Sequence, residues 1–363
     1  MNRVAIAECG KYESHELMSA ILSVLENSDF PSIEGKSVLL KTNILSDSPP
    51  EKHITTNPDF VKALAEICHE RKAKAVYIGD SPGLPGPGFK GEGCKIAQVC
   101  RDTGSIWVDF SKSTITKRVW QRIQVPITKA VFDADIVISV PKMKTHQLMY
   151  ATGAVKNMFG IIPGLNKSPL HLRARSPENF AKFLLSLHDI RKPDYSIMDA
   201  VIAMEGAGPA NGTPRQVGLV IGSSSAIAVD FAEAAIMGYK ADDVPLLKEA
   251  KRRNKDADLI EYTILDASER KIESFRRIEV KKKNLFSALI LPFFSRAFDK
   301  KKASMRRAPV FDEKRCRACR RCVDICPAKA LRLESGKIVI ETDKCIRCYC
   351  CHEMCPFDAI KID

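Results

Sequence analysis

Apolar residues in the first two-thirds of the chain switch repeatedly between short unbroken runs and stripes spaced three and four apart. Unbroken runs bounded by polar residues read as buried strands, and three-and-four stripes as helices packed on one face. Val4–Ala7 is a run, and His15–Leu25 carries Leu17, Ile21, Leu22 and Leu25 on one helical face. Ser37–Leu40 is the next strand, ending at Lys41-Thr42-Asn43. Thr56-Asn57-Pro58-Asp59 then opens a helix with a polar cap and proline in the first turn, striped by Val61, Leu64, Ile67 and Cys68. Ala75–Ile78 is a third strand, stopping at Gly79-Asp80-Ser81-Pro82-Gly83. The Gly/Pro segment 83–88 lacks the spacing of a dinucleotide or Walker loop and reads as a loop at the sheet's carboxyl edge.

The alternation continues. A helix is expected over 92–103, with Cys94 and Cys100 as small buried hydrophobes, and Asp135–Val140 is the clearest buried strand. Pro177–Asp189 follows as a helix with His188 on its surface, then Tyr195–Val201 as a strand ending near Asp199, and Met204–Pro214 as a Gly/Pro loop. Val217–Ile221 is another strand and Ala228–Met237 an apolar helix, with helical signals through Lys251. Strands alternating with helices predict an α/β domain over 1–269, a mostly parallel sheet flanked by helices.

Ligands of open parallel sheets sit just past the strand carboxyl ends. Past Asp135–Val140 the chain places Lys142, Lys144 and His146, and shortly afterwards Lys156 and Asn157 between Gly153 and Gly160. Lysine is costly to bury unpaired, so these four basic residues are the candidate site for a small anionic ligand. The competing expectation is a structural ion-pair network with Asp80, Asp199 and Glu205, which also end or follow strands.

Charge sharpens the domain division. The chain has 57 Lys and Arg against 44 Asp and Glu, a net +13. Residues 1–269 hold 33 against 32, residues 270–309 hold 13 against 3, and residues 310–363 hold 11 against 9. The excess is confined to a basic connector at 270–309, which argues against a nucleic-acid-binding surface on the α/β domain. The connector carries the apolar run Leu285–Phe294 flanked by Lys281–Lys283, Arg296 and Lys300–Lys302. Ten residues cannot span a bilayer. The run is expected to pack between domains in preference to lying at a membrane surface through 281–302. With no leader-like start and unpaired extra cysteines, the expected location is the cytoplasm.

Residues 310–363 carry the densest chemistry. Cys316-x2-Cys319-x2-Cys322-x3-Cys326-Pro327 recurs 29 residues later as Cys345-x2-Cys348-x2-Cys351-x3-Cys355-Pro356. Cys-x2-Cys pairs also bind zinc, but eight cysteines in two such runs exceed a zinc site's needs. The module resembles bacterial two-cluster ferredoxins over about 309–363. There, three closely spaced thiolates hold one [4Fe–4S] cluster and the cysteine before proline serves the other. Crossed ligation is therefore expected: Cys316, Cys319, Cys322 and Cys355 for one cluster, Cys345, Cys348, Cys351 and Cys326 for the second, with Cys350 spare.

Pro141-Lys142-x-Lys144-Thr145-His146, Lys156-Asn157-x-Phe159-Gly160, Asp199-Ala200-x5-Glu205-Gly206-x-Gly208-Pro209 and Ala228-Val229-Asp230-Phe231 resemble the domain-of-unknown-function 362 family, in which a fused ferredoxin module is common. A fainter similarity is to nickel-pincer lactate racemases, whose histidine lies ten residues before a cofactor-linked lysine. His146, Lys156 and Ile161-Ile162-Pro163-Gly164 match that segment, with His171 as a later metal-side histidine and His53 isolated. The function expected is ferredoxin-type electron transfer with a redox protein partner or a small anionic substrate held by the α/β domain. Lys314, Arg315, Arg317, Arg320 and Arg321 beside the first cysteine run would favour an acidic redox protein. A substrate-reducing oxidoreductase and a metal-cofactor-handling protein with structural clusters are the alternatives.

Overall fold

The structure, a computed structural model, describes residues 1–83, 89–254, 260–279 and 306–362. Most of the Gly/Pro segment 83–88 and the apolar run of the connector lie outside the described residues. In chain order the α/β domain contributes β1 (Asn2–Glu8), β2 (Ser37–Lys41), β3 (Ala75–Asp80), β4 (Ile106–Asp109), β5 (Thr114–Arg118) and β6 (Gln124–Thr128). It continues with β7 (Ile136–Ser139), β8 (Lys142–His146), β9 (Tyr150–Ala151), β10 (Tyr195–Glu205), β11 (Thr213–Ser223) and β12 (Ile260–Thr263).

The main path of the sheet runs β12-β1-β11-β10-β7-β2-β3-β4, while β5 and β6 form a separate hairpin. From β10 through β4 all neighbours are parallel, and only β11 runs against both of its neighbours. The parallel part is buried on both faces, as parallel sheets require. Helices Ser14–Glu26, Pro58–Glu70 and Ile96–Thr103 cover one side through Leu17, Ile21, Phe60, Leu64 and Ile96. Helices Pro177–Ile190, Ala226–Ile236 and Pro245–Arg252 cover the other through Phe180, Leu184, Ile227 and Leu247. Asn57, Ser176 and Ser225 each accept a backbone N–H at a helix start, satisfying donors that the first turn leaves open.

The chain steps outward from β2 to β3 and β4, then returns to β7 on the other side of β2. That reversal opens a crevice at the carboxyl ends of β2 and β7.

Four features differ from the sequence reading. Lys142–His146 is a strand, not a loop: beyond β7 it pairs with the outer half of β10, Asp199 opposite Lys142 and Met204 opposite Lys144. β10 accordingly runs on to Glu205, past an irregularity between Ala200 and Ile202. His188 is buried, because it shares its helix face with Leu184, Leu185 and Leu187. Residues 270–279 pack on the α/β domain: Phe275 is in the core and Arg276 pairs with Glu205 at 2.8 Å. Packed chain therefore continues past residue 269.

The C-terminal module holds β13 (Pro309–Phe311), β14 (Leu331–Glu334), β15 (Lys337–Ile340) and β16 (Ile360–Ile362), with helical turns at Arg321–Ile325 and Cys350–Glu353. Its repeat extends to the backbone. Ala318, Arg320 and Lys329 adopt left-handed conformations, as do Arg347, Tyr349 and Asp358, each 29 residues further on. The module seats on the α/β domain through Ser168 Oγ, which donates to the Ile325 carbonyl at 2.7 Å, and Asn211, which donates to the His352 carbonyl at 3.2 Å.

Candidate functional site

The crevice at the switch point is built on a buried ion pair. Lys41 at the end of β2 lies 2.9 Å from the carboxylate of Asp80 at the end of β3, and neither side chain is more than 2 % exposed. Lys41 Nζ also donates to the Thr42 carbonyl at 2.6 Å and to Asn157 Oδ1 at 3.1 Å, so all three of its protons are engaged. Asn157 Nδ2 returns to the Lys41 carbonyl and to Ser139, tying β2 to β7. The pair is packed so closely under Gly160 that a Cβ there would meet the Asp80 carboxylate and come within 2.5 Å of Lys41 Nζ.

The four basic residues expected to form one site divide among four environments. Lys142 is a structural partner: its Nζ sits 2.7 Å from Asp199 and 2.6 Å from the Tyr12 hydroxyl, fully buried. Burial lowers its pKa and Asp199 offsets part of that. Lys144 donates to the Ile54 carbonyl at 2.6 Å, and burial with the nearby Lys156 charge brings its pKa to about 7. His146 Nδ1 accepts the N–H groups of Leu148 and Met149, which places its proton on Nε2. That Nε2 faces Glu353 of the C-terminal module at 3.0 Å, although the two atoms are not aligned for a well-directed hydrogen bond. Burial lowers the His146 pKa to about 4. Burial alone would raise that of Glu353, but His146, Lys156 and His171 around it bring it to about 2. At neutral pH the contact is thus a neutral imidazole against a carboxylate.

Lys156 stands apart. No hydrogen-bond partner for its Nζ is found among the described residues, and it lines a cavity of about 90 Å³ between the two modules. The α/β domain supplies Lys41, Asn43, Asp80, Asn157, Lys167 and His171 to this cavity; the C-terminal module supplies Ile325, Cys350, Glu353 and Met354. Lys167 donates to the Ser81 carbonyl, and burial brings its pKa to about 7. His171, its ring tilted 31° against that of Phe180 with centroids 4.4 Å apart, is kept neutral by burial with a pKa of about 4, and its Nδ1 has no hydrogen-bond partner. Three lysines face two carboxylates here, with Lys167 partly charged at neutral pH, so the lining leans towards further negative charge. Sequence reasoning placed Lys156 here and named Asp80 as a possible ion-pair partner, but not Lys41, Lys167 or Glu353. Lys41 was legible as a polar residue ending a buried strand; Lys167 and Glu353 carried no such signal.

Two smaller cavities in the C-terminal module are lined by sulfur. One is bordered by Cys316, Cys319, Cys322 and Cys355 with Arg317, Arg320 and Arg321; the other by Cys326, Cys345, Cys348 and Cys351 with Cys350. Backbone N–H groups of Ala330 and Ala359 donate to Cys326 Sγ and Cys355 Sγ at 3.3 and 3.4 Å. Among the described residues no three His, Cys, Asp or Glu side chains converge closely enough to hold a single metal ion. Four thiols around a cavity, held apart and receiving N–H donors, fit a cubane and not a lone zinc.

No helix among the described residues is long and apolar enough to cross a membrane. A thylakoid-associated protein of Synechocystis sp. is 29% identical over 265 residues, covering 72% of this chain and 82% of that protein. Among solved structures, lactate racemase apoprotein from Thermoanaerobacterium thermosaccharolyticum aligns at 12% identity with a TM-score of 0.46, over 65% of this chain and 56% of that one. A Thermotoga maritima protein aligns at 13% identity and 0.40, over 60% of this chain and 57% of that one. The chain therefore spans somewhat over half the length of these two structures. Residues 308–356 match the 4Fe-4S dicluster domain, which makes the C-terminal module an iron–sulfur-binding domain. Residues 38–235 match the domain of unknown function DUF362, and the chain belongs to that family.

Proposed function

We propose that this protein is an iron–sulfur electron-transfer protein that delivers electrons to, or takes them from, a small anion held between its two modules. The reading rests on one observation: Cys350 lines both the lysine-bearing cavity and the sulfur-lined cavity of Cys326, Cys345, Cys348 and Cys351. Cys350 borders both spaces. Two [4Fe–4S] clusters in crossed ligation would supply single electrons, and the second would stand beside the anion. Lys156 would hold the anion by charge, with Lys41 and Lys167 in support, in a cavity that Ile325, Met354 and Phe159 also border.

The first sulfur-lined cavity would serve the other end of the electron path. Its Cys319 is exposed and its rim carries Arg317, Arg320 and Arg321, a surface suited to an acidic redox protein. The test is an EPR-monitored redox titration of the anaerobically reconstituted chain with and without oxalate or inorganic phosphate. One cluster's potential should shift with the added anion, and Lys156→Met should abolish that shift. An unchanged potential with every anion, or a shift that survives Lys156→Met, overturns the reading.

A further inference from the structure

A second, smaller chamber lies behind Lys156. It holds about 10 Å³, near the room one water needs, and is lined by Lys156, Asp230, Glu233, Gly153, Leu246 and Leu247 among others. Lys156 thus borders both this chamber and the cavity between the modules. Asp230 and Glu233 are three residues apart on helix Ala226–Ile236, so they share a face. Their surroundings differ. Asp230 accepts the backbone N–H groups of Ala154 and Val155, the latter at 3.2 Å, and a Cβ on Gly153 would run into its carboxylate. Glu233 is 1 % exposed, and its Oε1 has no hydrogen-bond partner.

Two buried carboxyls this close do not both ionise. Asp230 has two backbone donors and Glu233 one, from Lys144, which favours the carboxylate on Asp230 and leaves the proton on Glu233. Burial followed by the neighbouring Asp230 charge raises the Glu233 pKa, while Lys144 and Lys156 offset only part of this. The charged and titratable groups around Glu233 are Asp230 from its own helix, Lys144 from β8, Lys156 from the turn Ala154–Asn157, and Tyr239 beyond the helix end.

We propose that Glu233 is a proton store for the cavity between the modules, passing its proton through Lys156 to an anion that has gained an electron there. This rests on the electron-transfer reading above, which supplies the electron. An N–H bond of the Lys156 ammonium breaks and its proton bonds to the reduced anion. The O–H bond of Glu233 then breaks, its proton restores the ammonium, and Glu233 is refilled from bulk water. The bound anion thereby gains one proton for its electron, and no negative charge accumulates in a buried place. The class of substrate this suits is a small oxyanion or carboxylate whose reduction consumes protons.

The test uses the full chain with reconstituted clusters and needs no knowledge of the substrate. Reduced-minus-oxidised infrared difference spectra of the wild type should contain a protonated-carboxyl C=O band that moves in D2O. The band should vanish in Glu233→Gln. Where Glu233→Gln does not fold, Glu233→Asp, which keeps the proton in a displaced position, should shift the band. Above the pH at which the oxidised protein loses the Glu233 proton, reduction takes one up, so the potential of one cluster should fall there with rising pH, by up to about 59 mV per tenfold change in proton activity for one proton per electron, and Glu233→Gln should flatten that slope. Absence of the carboxyl band in the wild type, its persistence unshifted in both variants, or an unaltered pH slope in Glu233→Gln overturns the proton store. An oxalate or phosphate shift that remains while these fail leaves the electron-transfer reading standing. Loss of that anion shift in the wild type removes the electron-transfer reading instead.

Discussion

Replacing Lys142 or Lys156 with methionine separates a structural lysine from a ligand-binding one. Lys142 and Asp199 are both fully buried and 2.7 Å apart. Removing one member of such a pair typically costs about 3–5 kcal/mol, because the other charge is left buried. Asp199 would keep the Tyr12 hydroxyl at 2.7 Å and the N–H groups of Asn57 and Val201 at 3.0 and 3.3 Å, so Lys142→Met should fall near the low end, about 3 kcal/mol. At about 2–4 °C per kcal/mol for a domain of this size, melting should drop by about 6–12 °C. Asp199→Asn added to Lys142→Met removes the stranded charge and should recover part of the loss, a coupling visible in a double-mutant cycle. Lys156→Met removes no hydrogen bond seen among the described residues; it relieves repulsion from Lys144 and Lys167 while giving up attraction to Glu353, so its stability loss should be clearly smaller than that of Lys142→Met. Calorimetry of the cluster-loaded proteins decides. Equal losses in both variants, or an unmoved Lys142→Met, would refute the division of the four basic residues.

The crossed ligand set predicts that Cys326→Ala damages the EPR signal of the cluster on Cys345, Cys348 and Cys351, and Cys355→Ala that of the cluster on Cys316, Cys319 and Cys322, while Cys350→Ala leaves iron content unchanged; a Cys326→Ala that perturbs only the first cluster contradicts it. Burial raises the Asp230 pKa from 3.8 to about 7 against its two N–H donors. Its contribution to stability is therefore complete below about 3.8 and lost as pH rises through about 7. Asp230→Asn should flatten the fall of melting temperature from about pH 5 to 7, and parallel curves for the two proteins would argue otherwise. Gly160→Ala would force a methyl group onto the Lys41–Asp80 pair, at about 1–3 kcal/mol for an overpacked site, read by denaturant unfolding; an unchanged midpoint would mean that the pair shifts freely.

Legibility followed locality. The cysteine runs are a local pattern, and the spacing alone marked all eight thiols. Strands β2, β3 and β7 were legible because parallel strands buried on both faces read as unbroken apolar runs. β5, of sequence Thr114-Ile115-Thr116-Lys117-Arg118, and β12, Ile260-Glu261-Tyr262-Thr263, carry no such run and went unread. The four basic residues followed the right strand, but which of them meets a carboxylate depends on partners far along the chain. Lys142 finds Asp199, 57 residues away, and His146 faces Glu353 from the other module. Charge spacing cannot show pairing across a sheet, so one expected site became one ion pair, one carbonyl contact, one contact between modules and one lysine facing a cavity.

On the proposed function, the place of Cys350 on both cavities would tie ligand capture to iron supply. Ile325, Cys350, Glu353 and Met354 border the cavity from the helical turns Arg321–Ile325 and Cys350–Glu353 and the residue after the second, beside the cysteines, and metal-site segments of this kind order when they are loaded. A chain without clusters would keep the lysines but hold that border less firmly, so assembly of the clusters would license binding.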